Sequence, residues 1–179
     1  MVTLGTGVGG GVILDQKIVA GKHGLGGEIG HITVNNDEIE ACNCGQYGCL
    51  EQYTSATGIV RLAKRKLAKS TEETSIREIS NLTAKDVFDA AKAGDAIAIG
   101  LVDEVCEILG STLSNIACVV NPEIIVIGGG VSKAGDILLD NIKKHFVETS
   151  FMACRETKFA LAGLGNDAGM YGCVEMLLD

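Results

Sequence analysis

Residues 26–51 of this sequence read GGEIGHITVNNDEIEACNCGQYGCLE, and nineteen of these positions, 31–49, contain three cysteines and one histidine. Three thiolates and one imidazole are the ligand set of a closed, tetrahedral structural zinc site. Glycines at positions 45 and 48 allow the tight backbone that would bring the last two cysteines to one ion. We therefore predict a structural zinc loop over residues 31–51, with four ligands: His31, Cys42, Cys44 and Cys49.

Two other interpretations of these cysteines remain open. They could be unconnected thiols, or Cys42 and Cys44 could form a strained redox pair. Cytosolic disulfides are uncommon, and so compact a set of three thiols and one imidazole favours the metal.

Two carboxylates flank the predicted zinc loop. Glu28 lies three residues before the histidine, and Glu51 lies two residues after the last cysteine. We interpret the zinc as a clamp that fixes these two acids as part of a small-molecule site. The alternative is that both are solvated surface acids, because most acidic side chains are exposed.

The composition is that of one globular domain. The chain has 179 residues, of which 46% are hydrophobic, enough for a domain with a core and unlike a disordered chain. A net charge of −8 argues against nucleic acid binding. No apolar run approaches the ~18 residues that cross a membrane, and no signal peptide is visible. Four further cysteines lie in apolar surroundings, which favours a reducing cytoplasm: Cys106, Cys118, Cys154 and Cys173.

A glycine-rich turn precedes the zinc loop, in residues 2–14, VTLGTGVGGGVIL. We predict a hairpin over these residues, then a turn at residues 15–16 and a returning strand over 17–20. The bare backbone N–H groups of the turn and the Thr6 hydroxyl suit a phosphate. The turn lacks the ending of a Walker loop, and a strand follows where a dinucleotide fingerprint needs a helix. A tight hairpin without a ligand is the alternative.

The rest of the chain shows helical and strand patterns. Caps and apolar periodicity predict helices over residues 55–69, 83–93, 95–120, 135–147 and 168–178. Short strands are predicted over residues 31–34 and 158–162. Four basic residues of the first of these helices are predicted to form a solvated face: Lys64, Arg65, Lys66 and Lys69.

A wholly apolar run at residues 124–127 follows Glu123 and is typical of a strand buried in a parallel sheet. Gly128, Gly129 and Gly130 come next, at the carboxyl end of this strand, where ligands bind in open α/β sheets. Backbone without side chains can approach a nucleotide closely, so this triplet is a second candidate nucleotide contact. A simple strand-to-helix turn is the alternative.

Four motifs, taken in this order, resemble one family. They are LGTGVGGG at residues 4–11, EIGH at 28–31, CNCGQYGCLE at 42–51 and IVIGGGV at 125–131. Together they are similar to the ROK family of bacterial sugar kinases and sugar-responsive repressors, over nearly the whole chain. The resemblance implies an α/β, ribonuclease-H-like or actin-like ATPase fold. Residues 1–179 would then be the carboxyl-terminal α/β domain of a two-domain kinase.

The resemblance also implies roles for the motif residues. Glu28, His31 and Glu51 would hold sugar hydroxyls, with Gly7 close to the sugar. Thr6 and Gly7 would contact the phosphates of ATP, and the triplet Gly128, Gly129 and Gly130 would line the nucleotide. The parent enzyme would use ATP with Mg²⁺ to convert glucose to glucose 6-phosphate in the cytoplasm. It would be a homodimer, and this chain would bind neither nucleic acid nor membrane.

Two motifs of the family are missing from this sequence. They are an Asp-x-Gly-Gly-Thr phosphate loop and an Asn-Asp pair that carries the catalytic base, and both precede the Gly-Thr-Gly motif in the family. The resemblance therefore implies that the amino-terminal domain is absent, that no catalytic residue lies in this chain, and that the chain alone has no kinase activity. The last helix, which packs on that domain in the family, should expose Met170, Val174 and Leu177 or pair them with another molecule.

Three alternatives stay open. Sister kinases for other hexoses or N-acetylhexosamines share most of these motifs. A ROK-type repressor would make this chain an effector domain, and a structural zinc module would bind no ligand. The glycine-rich turn favours a kinase, because it has a role only where phosphates bind.

Overall fold

Four strands form the central sheet of the computed structural model, which describes residues 1–175 apart from the side chains of Asn166 and Glu175. β1 (Val2–Leu4) pairs antiparallel with β2 (Val8–Gly10) and parallel with β5 (Ile124–Gly128), and β5 pairs parallel with β6 (Lys158–Leu161). The strand predicted over residues 124–127 therefore has a parallel neighbour on each side. The order across the sheet is β2, β1, β5 and β6.

The glycine-rich hairpin is shorter than predicted. β2 ends at Gly10, and a separate two-stranded ribbon follows, formed by β3 (Ile13–Leu14) and β4 (Lys17–Ile18). The Gly11 N–H donates to the Met1 carbonyl at 3.0 Å. This bond lies at the end of the pairing between β1 and β2. The chain after Gly11 therefore leaves the central sheet and forms the β3–β4 ribbon.

The predicted turn of this ribbon is confirmed. Asp15 and Gln16 have φ angles of 50° and 63°, and two successive positive φ angles are what a type I′ hairpin turn requires. The returning strand ends two residues earlier than predicted. The Ala20 N–H donates to the Ile18 carbonyl at 3.0 Å, which turns the chain out of the ribbon.

Within the described residues, the helices follow the predicted segments closely. Ser55 and Asp95 each accept the N–H of the residue three positions on. Thr83 and Asp86 form a reciprocal capping box, which satisfies two N–H groups at the helix start. Within residues 1–175, no helix is both long and apolar enough to cross a membrane. The helices are α1 (Glu51–Thr54), α2 (Ala56–Lys69), α3 (Ala84–Lys92), α4 (Ala96–Val120), α5 (Asp136–Thr149) and α6 (Ala168–Glu175).

The strand predicted over residues 31–34 is wrong. Ile29–His31 form a short 3-10 helix instead. The Gly48 carbonyl then accepts the N–H groups of both Val34 and Asn35, at 2.7 and 3.3 Å. The bond from Val34, with the bond from the Leu50 N–H to the Ile32 carbonyl, forms one isolated antiparallel bridge between Thr33 and Cys49. The pairing does not continue as a ladder, because the Asn35 N–H turns back to the same Gly48 carbonyl.

The last helix presents apolar side chains to solvent. Met170 and Val174 on α6 are 65% and 57% exposed, as predicted. Leu177, the third residue of that prediction, lies outside the described residues.

Helices α4 and α5 approach each other closely at Gly110. A Cβ atom added there would lie 2.8 Å from the Ile142 carbonyl oxygen and 2.9 Å from the Phe146 nitrogen. Backbone atoms cannot move aside as a flexible side chain can, so this contact requires glycine. The side chains that fill the surrounding core are all fully or almost fully buried: Leu109, Leu113, Leu138, Ile142 and Phe146.

We predict that Gly110→Ala lowers the free energy of unfolding by about 1–3 kcal/mol, because the added methyl group overpacks the α4–α5 contact. Gly100→Ala, on the same helix, is the matched control. Nothing lies within 4 Å of its added Cβ, so it should raise the free energy of unfolding by about 0.5–1 kcal/mol through helix propensity alone. Urea unfolding measures both. Equal stability of the two variants would contradict the close approach.

Candidate functional site

The four predicted metal ligands come together in the structure. One ligand atom from each of His31, Cys42, Cys44 and Cys49 lies within 4.8 Å of all the others. The Sγ atoms of Cys44 and Cys49 are 3.7 Å apart, close to the ~3.8 Å that separates two sulfurs each bound at about 2.3 Å to a tetrahedral zinc. The His31 Nδ1 atom lies 4.0 Å from the Cys42 Sγ atom. The donor set and its spacing therefore fit a zinc ion.

Local backbone hydrogen bonds and one glycine shape this cluster. The Cys42 N–H donates to the Gln46 carbonyl at 2.7 Å, and the Gly45 N–H donates back to the Cys42 carbonyl at 2.9 Å. Gly48 has a φ of 71°, and a Cβ atom there would lie 1.7 Å from the Asn35 carbonyl oxygen. Only glycine can occupy this position, which sets the turn that leads into Cys49.

The thiols of the cluster differ in acidity. Burial, together with the neighbouring Cys44 and Cys42 side chains, raises the pKa of the Cys49 thiol to about 12. The Gln46 backbone N–H lowers the pKa of Cys44. Because metals bind the thiolate, an ion at this cluster would have to displace the proton of Cys49.

The two ring nitrogens of His31 face different side chains. Nδ1 faces the Cys42 sulfur, and Nε2 lies 3.9 Å from the Glu28 carboxylate. The two side chains are 37% and 57% exposed. A metal on Nδ1 would leave an Nε2–H group pointing away from the cluster, beside Glu28 and within reach of a ligand in solvent.

Glu51 joins the zinc loop to the glycine-rich turn. Its Oε2 atom accepts the Val8 N–H at 3.0 Å, and its Oε1 atom lies 3.8 Å from the Cys42 sulfur. Gly7 passes directly over this carboxylate, since a Cβ atom there would lie 2.1 Å from Oε2. The structure therefore brings Gly7 and Glu51 into contact and places Glu28 beside His31.

A polar cavity of about 180 Å³ opens on one side of Glu51. Neither Gly7, Glu28 nor His31 is among the residues that line it, so the predicted sugar contacts do not all face this one cavity. Its walls come from the zinc loop, from α1 and from the first turns of α2: Glu40, Ala41, Cys42, Asn43, Glu51, Gln52, Thr57, Gly58 and Arg61.

The two glycine-rich segments lie at the same edge of the sheet. β1 and β5 are parallel neighbours, with Thr3 paired to Gly128, so the turns that follow both strands leave the sheet side by side. Gly129 has a φ of 85°, and a Cβ atom there would lie 2.4 Å from the Leu4 carbonyl oxygen. Nothing lies within 4 Å of a Cβ atom added to Gly130, which faces open space.

A mainly apolar cavity of about 280 Å³ begins at Gly130 and runs between the end of β5 and helix α3. Helix α3 forms one wall of this cavity, which the sequence did not predict. Phe88 has the spacing of an ordinary core residue and Lys85 that of a solvent-facing one, so no local pattern could have revealed a shared cavity. It is lined by Ala56, Thr83, Ala84, Lys85, Phe88, Asp89, Lys92, Gly130, Val131, Lys133 and Ala134.

The basic face predicted on α2 needs one correction. Lys64, Lys66 and Lys69 are exposed, as predicted. Arg65 is not part of a solvated face, because its guanidinium binds Glu38 and Glu40 of the zinc loop at 2.9 Å. Its position on the helix turns it toward a buried carboxylate that the sequence pattern did not reveal.

Comparisons with known proteins identify relatives of this chain. The ROK family model matches residues 1–179. The chain is 48% identical to a glucokinase of Halalkalibacterium halodurans over 176 residues, which cover 96% of this chain and 53% of that protein. It is 29% identical to a xylose repressor of Caldicellulosiruptor bescii, over 99% of this chain and 45% of that protein. The chain thus spans about half the length of the curated relatives it matches.

Solved structures show the same fold. A ROK family glucokinase from Streptomyces griseus, crystallised with glucose and AMPPNP, superposes with a TM-score of 0.86 at 33% identity. The match covers 98% of this chain and 58% of that one. The predicted α/β, actin-like fold is therefore confirmed.

We predict that the chain holds one zinc ion and that Cys44→Ser abolishes its binding, because a closed site needs all four ligands. The Tm of the variant should fall by about 5 °C or more, since 1 kcal/mol shifts the Tm of a chain of this size by about 2–4 °C. Elemental analysis and thermal unfolding with and without a chelator measure these effects. Cys118→Ser is the control, because Cys118 is exposed on α4. The apolar surroundings predicted for Cys118 and Cys173 are wrong, since both residues are exposed, whereas Cys106 and Cys154 are buried as predicted. Zinc retained by Cys44→Ser would exclude the site.

Proposed function

Because the chain belongs to the ROK family, we propose that its parent protein transfers a phosphoryl group from ATP to glucose, giving glucose 6-phosphate. This chain would supply the sugar contacts, the metal cluster and part of the nucleotide site. The observation that carries the proposal is the junction at Glu51. One carboxylate accepts the Val8 N–H of the glycine-rich turn and also lies beside the Cys42 sulfur, so a phosphate loop and a sugar site would share one anchor.

The proposed sugar contacts suit a polyhydroxy ligand. Glu28 and Glu51 are acceptors for hydroxyl groups, and His31 can donate from Nε2 when Nδ1 is held at the cluster. A site built from such groups rejects a sugar that leaves one of them unpaired. Zinc in this arrangement is structural, since it fixes the ring orientation of His31. Gly7 leaves room for the Glu51 carboxylate, so that this acid could lie against the backbone beside the sugar.

The proposed nucleotide contacts lie along the edge where β1 and β5 end. Thr6 and Gly7 would contact the phosphates, and Gly128, Gly129 and Gly130 would line the nucleotide. The mainly apolar cavity beyond Gly130 supports this assignment, because an apolar slot next to bare backbone suits a planar base. The bound AMPPNP in the Streptomyces griseus glucokinase also supports ATP, for which the parent enzyme would use Mg²⁺.

Catalysis would need more than these residues. Phosphoryl transfer requires a base for the sugar hydroxyl and neutralisation of the γ-phosphate charge, and we assign no catalytic residue to residues 1–179. We place the base in the part of the relatives that this chain does not span. We also propose that the parent enzyme is a cytoplasmic homodimer and that residues 1–179 are its carboxyl-terminal domain.

A second candidate function is the effector domain of a ROK-type repressor. The match to the Caldicellulosiruptor bescii xylose repressor over nearly the whole chain favours it, and a kinase for another hexose or N-acetylhexosamine is a third possibility. The glycine-rich turn docked on Glu51 favours the kinase, since a sensor of free sugar needs no phosphate loop. The coding sequence upstream of Met1 discriminates between them: an Asn-Asp motif indicates a kinase, and a helix-turn-helix indicates a repressor.

We predict that Glu51→Gln and Glu28→Gln each weaken glucose binding to this chain about tenfold or more, because each replaces a charged acceptor of sugar hydroxyls. Isothermal titration with glucose measures the Kd. Glu107→Gln, at an exposed position of α4, is the matched control and should bind glucose with the Kd of the unsubstituted chain. Unchanged affinity in both site variants would refute the assigned contacts.

We predict that the 179-residue chain alone shows no ATP-dependent phosphorylation of glucose. Fusion to the part of the Halalkalibacterium halodurans glucokinase that it does not match should restore activity, because that part would supply the base. A coupled assay that detects glucose 6-phosphate makes the measurement. Robust turnover by the unfused chain would overturn this prediction.

A further inference from the structure

The zinc loop contains a buried charge that the proposed chemistry does not use. Glu38 is 8% exposed and lies in the irregular segment between His31 and Cys42. Its Oε1 atom accepts the backbone N–H groups of Ile39 and Glu40, each at 3.0 Å. A carboxylate is costly to bury unless it is paired and hydrogen-bonded, so its surroundings need an explanation.

Two arginines of α2 supply the opposite charge. Arg65 donates to both oxygens of Glu38, each at 2.9 Å, which is the fork geometry that holds a carboxylate most rigidly. Arg61 donates to Glu38 at 2.9 Å and to Glu40 at 3.2 Å. The hydrogen bond from Arg65 holds the pKa of Glu38 well below its usual range, so the carboxylate is charged at neutral pH.

Tyr53 and Asn35 complete this arrangement. The Tyr53 hydroxyl donates to Glu38 at 2.6 Å and accepts from the Asn35 side chain at 2.9 Å. The Arg61 guanidinium lies 5.2 Å from the centre of the Tyr53 ring, within the range of a cation–π contact. One carboxylate thus ties the zinc loop to α1 and α2 at the same time.

The metal cluster lies directly next to these contacts. Glu40 is two residues before Cys42, and its backbone carbonyl accepts the Gln52 side-chain N–H at 2.9 Å. The same Gln52 side chain accepts the Cys49 N–H at 3.0 Å. The held segment is therefore linked to two of the cysteines, one along the chain and one through Gln52.

We propose that Glu38, Arg61 and Arg65 form a positioning clamp that holds Cys42 in register with the other three ligands. The clamp acts through the backbone of residues 38–42, and none of its three side chains belongs to the candidate metal ligands. Apart from the clamp, this segment is held by one short turn, through the Ala41–Tyr47 bridge and the hydrogen bond from the Cys42 N–H to the Gln46 carbonyl. That turn orders Cys42 relative to Cys44, whereas the clamp orders it relative to α1 and α2. The inference rests on the metal part of the proposed function.

A clamp and a merely structural ion pair predict different measurements. An ion pair that only stabilises the fold would change the Tm of the metal-free chain and leave zinc exchange alone. A clamp changes how long the assembled site holds its metal, because groups that orient metal ligands typically alter metal affinity by about 10–100-fold. It also changes the geometry of the site, which Co²⁺ reports through its absorption bands.

The experiment compares zinc release from the 179-residue chain to excess 4-(2-pyridylazo)resorcinol. Glu38→Gln keeps the size of the side chain and removes its charge, and Arg65→Met removes the fork. Lys64→Met, at the exposed neighbouring position on α2, is the matched control. We expect the two clamp variants to release zinc about tenfold faster than the unsubstituted chain and to show weaker tetrahedral Co²⁺ absorption bands. The control variant should release zinc at the rate of the unsubstituted chain. The double variant should release zinc no faster than the faster single variant, because the two residues act as one unit.

Two results would overturn the proposal. If both clamp variants lower the Tm of the metal-free chain but release zinc at the rate of the unsubstituted chain, the ion pair only stabilises the fold. The metal site would then remain supported. If the unsubstituted 179-residue chain binds no zinc, both the clamp and the metal site are refuted. The glucose titration is independent of both results, so failure of the sugar assignment is seen separately. Because Glu38→Gln is a mild change, it keeps the test informative even if Arg65→Met does not fold.

Discussion

The carboxylate of Glu51 is the contact on which the candidate site depends. It receives a backbone N–H from the glycine-rich turn and lies against a cysteine of the zinc loop. Two segments that are far apart in sequence and have little regular structure are thereby fixed relative to each other. The first turn of α2 strengthens this junction, since Ala56 N–H donates to the Gly5 carbonyl and Thr57 hydroxyl to the Thr6 carbonyl. The turn is thus held before any ligand arrives, and a preorganised loop loses less entropy on binding.

The sheet and the zinc loop position different parts of the candidate site. The parallel pairing of β1 with β5 places the two glycine-rich turns at one edge, which no local interaction could do. The zinc loop instead builds its geometry from short-range contacts and then attaches to α2 through Glu38. The long-range pairing of the sheet and the short-range contacts of the zinc loop meet at Glu51, which joins the glycine-rich turn to the loop.

Features encoded locally could be predicted, and features that depend on distant contacts could not. The metal ligands, the capping residues and the strand at residues 124–127 each have a signature within a few positions. Glu38 has none, because it is one acid among several in a polar segment, and its partner Arg65 stands between two lysines. The misassigned strand at residues 31–34 has the same origin. Its alternation looked extended, but its pairing with residues 48–50 is limited to one bridge, between Thr33 and Cys49. The cavity wall on α3 also depends on tertiary packing.

The sheet register has a consequence for how the chain reaches its native state. Val2 pairs with Gly10 on one side and with Ile127 on the other, so β1 has one partner close in sequence and one very distant. Closing the distant pairing costs more chain entropy than forming a hairpin or a helix. The β1–β2 hairpin and the α4–α5 pair should therefore form early, with β5 docking on β1 late. The edge where the two glycine-rich turns meet would then be among the last parts of the molecule to be assembled.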